Sequence, residues 1–333
     1  MVKRIAVDAM GGDGGVELTI PAAAQALEKF SDIVLTLVGN EDQIKSLLPQ
    51  NLATTDRVQI VHAPDVITDE DKPGNVLRSG KASSMYVAAE LAKDEKVQAM
   101  VSAGNTGALL MIGRHLLKTI PGIHKPAIVA TIPGASRQAF LLDVGANPDC
   151  SAQQLFEFAV MGSVLAESLD ASSARVGLLN IGAEQFKGTD IVRQTSEKLE
   201  QCEEIDYVGF VEANELFEGK ADVVVCDGYV GNVTIKSSAG VANVVKKLLA
   251  EGIDNNSLLD SPSTSVLTRL TARINPQRFN GASLLGLQGS IIKSHGNATQ
   301  EGFAYAIQQA MTEIENAVPQ LIAKKVAAII EAN

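Results

Sequence analysis

Five times in this chain a short apolar run closes on a loop of Gly, Asn and Asp. The loops are Asp8-Ala-Met-Gly-Gly-Asp13, Ser102-Ala-Gly-Asn-Thr-Gly107, Asp143-Val-Gly-Ala-Asn147, Asn180-Ile-Gly182 and Asp227-Gly-Tyr-Val-Gly-Asn232. A short run without polar alternation reads as a strand buried on both faces, and a strand that turns into a helix is the unit of a parallel sheet. The pattern predicts an α/β chain, a three-layer α/β/α sandwich with a mainly parallel sheet. One domain is expected over residues 1–333, with a helical hairpin excursion at about 235–280. Open sheets of this kind bind ligands outside their strand ends. Five such loops at one edge would make one site.

Composition suits that architecture. The chain of 333 residues is 46% hydrophobic and 20% charged, with 4% aromatic residues and no Trp, so its core is built from Ala, Val, Ile and Leu. The net charge of -11 disfavours nucleic acid, which is bound by neutralising phosphates. Cys150, Cys202 and Cys226 are widely spaced with no CxxC pair. That predicts reduced thiols in a cytosolic protein, with neither a zinc site nor a disulfide framework. The chain enters an apolar strand almost at once, so no signal peptide is expected, and no apolar run reaches membrane-spanning length.

Some element boundaries bear on the site. A helix is expected over Thr19–Phe30 with Pro21 near its first turn, and another from about Val233 to Leu249, leaving Asp227–Asn232 as a loop. Thr299–Ala332 reads as helix interrupted at Pro319, and the polar Thr68–Arg78 segment as a loop over the site.

Gly in such loops permits close backbone approach, and free N–H groups at a helix start with Ser, Thr and Asn side chains make an anion cradle. Ser102–Gly107, leading into a helix, is the best such cradle. Lys187 follows the Asn180–Gly182 turn and delivers a cation to the rim, unless it is a solvated surface charge. Gly11-Gly12-Asp13-Gly14-Gly15 lacks GxGxxG spacing, Lys187 precedes its Gly, and neither GxSxG nor HExxH occurs. Nucleotide enzymes and serine hydrolases are therefore disfavoured. His62, His115, His124 and His295 are too scattered for a metal site. His115 reads as a packed or capping residue, and His295 is as readily a site residue as a structural one. Acyl transfer fits what remains: Lys187 and Asn232 would stabilise the oxyanion formed at an acyl carbonyl, and phosphate is already a nucleophile at neutral pH. Cys150 is expected to be structural, because the neighbouring Asp149 disfavours a thiolate.

These loops, together with Lys187-Gly188, Asn280-Gly-Ala-Ser-Leu-Leu-Gly286 and Lys293-Ser-His-Gly296, resemble the bacterial phosphate acyltransferase family, PlsX, in order over nearly the whole chain. The resemblance implies a fold similar to isopropylmalate dehydrogenase and phosphotransacetylase, a homodimer, and no cofactor. It implies formation of acyl phosphate from fatty acyl-[acyl-carrier-protein] and inorganic phosphate for phospholipid synthesis. A membrane glycerol-3-phosphate acyltransferase would use the product. It points to Lys187 and Asn232 as the catalytic pair. Substrate contacts are expected from Asp8, Gly11, Gly12, Asp13, Ser102, Gly104, Asn105, Thr106, Gly107, Asp143, Asn147, Asn180, Gly182, Asp227, Gly228, Gly231 and His295. Arg269, Arg273 and Arg278, with Lys246 and Lys247, are the expected docking patch for the acidic carrier. The protein is expected in the cytoplasm, with peripheral contact at the inner face of the membrane. Ala183 stands where family members usually carry an acid. A phosphotransacetylase-like enzyme using acyl-CoA is the alternative within this chemistry. Outside it, an NAD-dependent dehydrogenase of the isopropylmalate type is disfavoured, for want of an Asp cluster suited to a metal and of a nicotinamide signature, and a non-catalytic anion-binding or scaffold protein is the third class.

Overall fold

A computed structural model describes residues 2–134, 137–169, 173–254 and 276–332. Among these, eleven strands form one sheet: β1 (Lys3–Asp8), β2 (Ile33–Gly39), β3 (Val58–His62), β4 (Ala99–Ser102), β5 (Ala127–Ile132), β6 (Ala139–Leu142), β7 (Arg175–Leu179), β8 (Asp206–Val211), β9 (Val223–Val225), β10 (Ala282–Leu285) and β11 (Ser290–Lys293). The helices are α1 (Gly15–Lys29), α2 (Glu41–Leu47), α3 (Gln50–Ala53), α4 (Val76–Ser79), α5 (Ser84–Lys93), α6 (Thr106–Leu116), α7 (Ala152–Leu169), α8 (Asp190–Glu200), α9 (Gly228–Asp254), α10 (Gln300–Asn316) and α11 (Val318–Ala332). Several begin where a side chain accepts the third helical N–H: Asn40 from Gln43, Ser83 from Tyr86, Asn105 from Ala108, Thr189 from Val192 and Thr299 from Gly302.

Residues of one strand alternate between two helical layers. Ile5 and Val7 of β1 pack with α1 and α10, whereas Ala6 packs with α5 and α6. In β9, Val223 and Val225 pack with α7 and α11 while Val224 faces the other side. The expected three-layer α/β/α architecture results.

The sheet order is β3-β2-β1-β4-β11-β10-β5-β6-β9-β7-β8. Most pairings are parallel, but β10 runs against both β11 and β5, and β5 runs against β6. The strands from β6 to β8 consequently run opposite to β1–β4 and β11. This corrects the expectation that five loops reach one edge. Asp8–Asp13 and Ser102–Gly107 lie at one edge, with Lys293–Gly296. Asp143–Asn147, Asn180–Gly182 and Asp227–Asn232 lie at the other.

Three further boundaries differ from expectation. Helix α1 starts at Gly15, so Pro21 lies inside it; the carbonyl that Pro21 leaves unbonded belongs to Glu17, an exposed residue that water reaches. The C-terminal helix breaks at Ala317, which adopts φ 48°, and Pro319 falls in the first turn of α11, where proline is tolerated. Helix α9 starts at Gly228 rather than near Val233. A Cβ on Gly231 would stand 1.9 Å from the Asp143 carbonyl oxygen, so the first turn of α9 lies directly on the loop after β6. That contact outweighs the poor helix propensity of glycine, about 1 kcal/mol per residue. The remainder of the expected hairpin, including Arg269 and Arg273, lies outside the described residues.

Candidate functional site

At the first edge Asp8 is buried and accepts from Ser84 Oγ at 2.6 Å and Ser102 Oγ at 2.7 Å. Burial pushes the Asp8 carboxyl up from its ordinary pKa, and these hydrogen bonds oppose the shift. Ser102 Oγ accepts the Gly104 N–H at 3.1 Å, which sets the turn into α6. Asn105 Oδ1 accepts from the Ala108 N–H at 3.0 Å, and its Nδ2 donates to the Thr68 carbonyl at 3.2 Å. The Thr68–Arg78 segment is thus tied to the cradle, as its polarity suggested. Gly11 and Gly12 pass beside Gly104 and Ala103, and the Asp13 N–H donates to Gly296 at 2.9 Å. Thr106 and Gly107 open α6 at this rim.

Lys293 ends β11 directly beside Ser102 in the parallel register. Its ammonium donates to the Ala103 carbonyl at 3.2 Å and to the Ser294 carbonyl. The His295 N–H donates to Asn280 Oδ1 at 2.9 Å, and Asn280 Nδ2 donates to Ser294 Oγ at 2.8 Å. Lys293 was not singled out for the site, although it opens the Lys293–Gly296 motif.

At the second edge Asp143 organises its own loop. Its Oδ1 accepts the N–H groups of Ile128, Gly145 and Ala146 at 3.0, 3.1 and 3.0 Å. Its Oδ2 accepts Asn147 N at 2.6 Å and Nδ2 at 2.9 Å. Asp8, Ser102, Asp143 and Asn147 are all buried with their polar atoms engaged. They were expected to touch substrate; in the structure their hydrogen bonds go to protein atoms and brace these loops. Asp227 Oδ1 accepts the Val230 N–H at 2.8 Å, which caps α9.

Lys187 and Asn232 rise from neighbouring strands, since β7 and β9 pair in parallel. Asn232 lies on α9, not in a glycine turn, and its Nδ2 donates to the Val144 carbonyl at 3.1 Å. Asn180 Nδ2 donates to the carbonyls of Gly182 and Lys187, each at 3.2 Å, and closes the loop on itself. The Lys187 side chain folds back over Gly182, where a Cβ would stand 2.6 Å from Lys187 Cδ. Its Nζ lies 3.0 Å from Glu184 Oε2, and that contact lowers the Glu184 pKa. Sequence reasoning overlooked Glu184, which supplies an acid one residue beyond Ala183. Large apolar side chains flank the pair in the open: Ile181 is 79% exposed, Phe186 76% and Tyr229 68%.

Helix α9 leaves this second edge and packs across β5 and β6. Desolvation holds the His295 imidazole below the ordinary 6.5, with smaller contributions from Lys293 and from Lys236 of α9. The helix therefore brings a cation from the Asn232 side within electrostatic reach of the first edge.

Cys150 is buried, and its thiol is pushed up to about 12 by burial, then by Asp143 and Asp227, which disfavours the thiolate a nucleophile needs. The expected cause, Asp149, is not what dominates. His115 is exposed in the last turn of α6 rather than packed. His124 Nδ1 lies 2.5 Å from Glu157 Oε1. Among the described residues no group of three His, Cys, Asp or Glu side chains has metal-binding geometry. Of the expected docking patch, Lys246, Lys247 and Arg278 are exposed. Among the described residues no helix is long and apolar enough to cross a membrane.

Residues 3–321 match the family model described as "Fatty acid synthesis protein". A protein of Shewanella sediminis named "Phosphate acyltransferase" is 44% identical over 332 residues, covering 98% of this chain and 97% of its own. The protein of that name from Hydrogenovibrio crunogenus is 45% identical over 335 residues, covering 99% of each. Among solved structures, a phosphotransacetylase from Streptococcus pyogenes superposes with TM-score 0.63 at 19% identity, covering 94% of each chain, which shows a common fold. The full-length match, carried by relatives more than two-fifths identical, establishes that this chain belongs to the fatty acid synthesis protein family, whose curated members here bear the name phosphate acyltransferase.

Proposed function

We propose that this protein transfers a fatty acyl group from acyl carrier protein to inorganic phosphate, forming acyl phosphate for phospholipid synthesis. The observation that carries the reading is the Lys187–Asn232 pair. An ammonium folded over Gly182 and an amide anchored on Val144 follow the paired strands β7 and β9, beside exposed apolar side chains suited to an acyl chain. A phosphate oxygen attacks the thioester carbonyl carbon, and charge collects on the carbonyl oxygen. Lys187 and Asn232 stabilise that oxyanion. The C–S bond then breaks, the carrier thiolate leaves and takes up a proton, and acyl phosphate remains. Before substrate arrives Lys187 is paired with Glu184, so the incoming phosphate competes with a carboxylate for it.

Other parts of the reading rest on surface features. The homodimer draws support from one face of α9, where Val233, Val241, Val244 and Leu248 are 51, 65, 56 and 61% exposed. The carrier would meet Lys246 and Lys247 on the same helix, and Arg278 in the turn before β10; all three are exposed. All strands share one sheet, which favours a single catalytic domain. A cytoplasmic location with peripheral contact at the inner membrane face completes the reading, and hands the product to the membrane acyltransferase that uses it. The phosphotransacetylase fold favours acyl-CoA as the second donor to try.

The test is steady-state release of carrier thiol with phosphate varied. Release should require phosphate, and Lys187→Ala and Asn232→Ala should each lower turnover about a hundredfold with the fold intact. Phosphate-independent release would overturn the reaction, and turnover from acyl-CoA alone would replace the donor.

A further inference from the structure

The Lys187 side chain is 38% exposed, and its ammonium has one partner among the described residues, Glu184 Oε2 at 3.0 Å. Both ends of that pair lie on Gly182. A Cβ there would stand 2.6 Å from Lys187 Cδ, 2.8 Å from Glu184 Oε2 and 2.9 Å from Lys187 Nζ. Gly182 does not take a left-handed φ, so its missing side chain supplies room for the pair rather than backbone freedom.

The loop has other means of keeping its shape. Asn180 Nδ2 holds the carbonyls of Gly182 and Lys187, and the Lys187 N–H donates to the Glu184 carbonyl at 3.0 Å. Arg193 Nη1 donates to the Gly188 carbonyl at 2.7 Å. An ion pair as exposed as Glu184–Lys187 adds little to stability. What the carboxylate does fix is the place of the ammonium. A free lysine stem samples many rotamers, and an oxyanion is stabilised best by a donor in place before the charge develops.

Resting on the acyl transfer proposed above, we infer that Glu184 is the positioning residue for Lys187, its carboxylate pinning the ammonium over Gly182 for the oxyanion. An ammonium has three N–H donors; Glu184 takes one and leaves two for substrate. The pairing also keeps Glu184 ionised, its pKa lying below the ordinary 4.5. The same negative charge opposes phosphate in the ground state, because it shares the cation and repels the arriving anion. Glu184 therefore raises turnover while weakening phosphate binding.

The experiment uses the full-length protein, acyl carrier protein thioester as donor and inorganic phosphate as the varied substrate. Glu184→Gln keeps the length and removes the charge. Its kcat should fall about tenfold while its KM for phosphate falls about threefold, a split that a merely structural role would not produce. The fall in KM should shrink as salt is added. Glu184→Asp restores the charge one methylene short, so its phosphate KM should return near wild type with an intermediate kcat. In a Lys187→Ala background, Glu184→Gln should change kcat by no more than about twofold, because nothing is left to position. The melting temperature of Glu184→Gln should stay near wild type. Unchanged kcat in Glu184→Gln, or the same tenfold loss on top of Lys187→Ala, overturns the assignment. So does a lower kcat with an unaltered phosphate KM and a fallen melting temperature, which marks a structural role. If Lys187→Ala itself keeps wild-type turnover, the reading of Lys187 fails and this inference with it. If Lys187→Ala loses turnover and Glu184→Gln does not, the transfer stands and only this inference falls.

Discussion

Glu313 offers the sharpest measurement of how burial shapes this protein. It lies on α10 beneath β10 and β11 and is 3% exposed. Ser283 and Ser290 hydrogen-bond to its carboxyl, but Oε1 has no partner. Desolvation pushes the pKa from the ordinary 4.5 to about 7 against those bonds. At about 1.4 kcal/mol for each tenfold change in proton affinity, the displacement corresponds to about 3 kcal/mol. Below 4.5 the carboxyl is protonated in folded and unfolded chains alike, and its full contribution to stability is present. As pH rises the unfolded chain ionises first and stability falls. Above about 7 the folded protein ionises too and the loss is complete. Glu313→Gln keeps the shape, adds a donor for the serine hydroxyls and removes the titration. Urea unfolding of both proteins should give curves that diverge between about pH 4.5 and 7.5, the Gln variant gaining about 3 kcal/mol over wild type. Parallel curves would refute the reasoning, because the carboxyl would then ionise as it does in water.

Gly182→Ala should displace Lys187 and lower turnover about a hundredfold while leaving the melting temperature near wild type, since the clash is with a flexible side chain at the surface; unchanged turnover would free Lys187 from its fold-back geometry. Cys150→Ala should stay within about threefold of wild-type turnover, because a thiol pushed up to about 12 supplies no thiolate. Loss of turnover in a folded Cys150→Ala protein would replace direct attack by phosphate with a covalent intermediate. Reversing Lys246 and Lys247 to Glu should raise the KM for acyl carrier protein about tenfold at low salt, with the gap closing as salt is added. A salt-independent, unchanged KM would take this arm of α9 out of the carrier interface.

The architecture was legible in the amino-acid order because its strands are buried on both faces. Runs such as Ala99–Ser102 and Val223–Val225 are continuous and apolar, and polar caps such as Ser83, Asn105 and Thr189 mark where helices begin. That Lys187 and Asn232 follow neighbouring strands was legible for the same reason: each comes after such a run, and β7 and β9 do pair. The direction of half the sheet was not legible. A buried strand carries the same residues whichever way it runs, so nothing in Ala282–Leu285 announces that β10 opposes both neighbours. The helical state of Asn232 was hidden as well, because Gly228 and Gly231 look like turn residues until Asp143 and Asn147 are packed against them. Asp8 and Asp143 looked like ligands until their oxygens were seen filled by hydroxyls and backbone N–H groups from distant segments. Local pattern determined which segments become strands, helices and loops, since that depends on neighbours in sequence. Which loops face each other, and which charged groups find no partner, was decided only in the tertiary structure. Those properties are sums over residues far apart in the chain, such as Lys236 and His295.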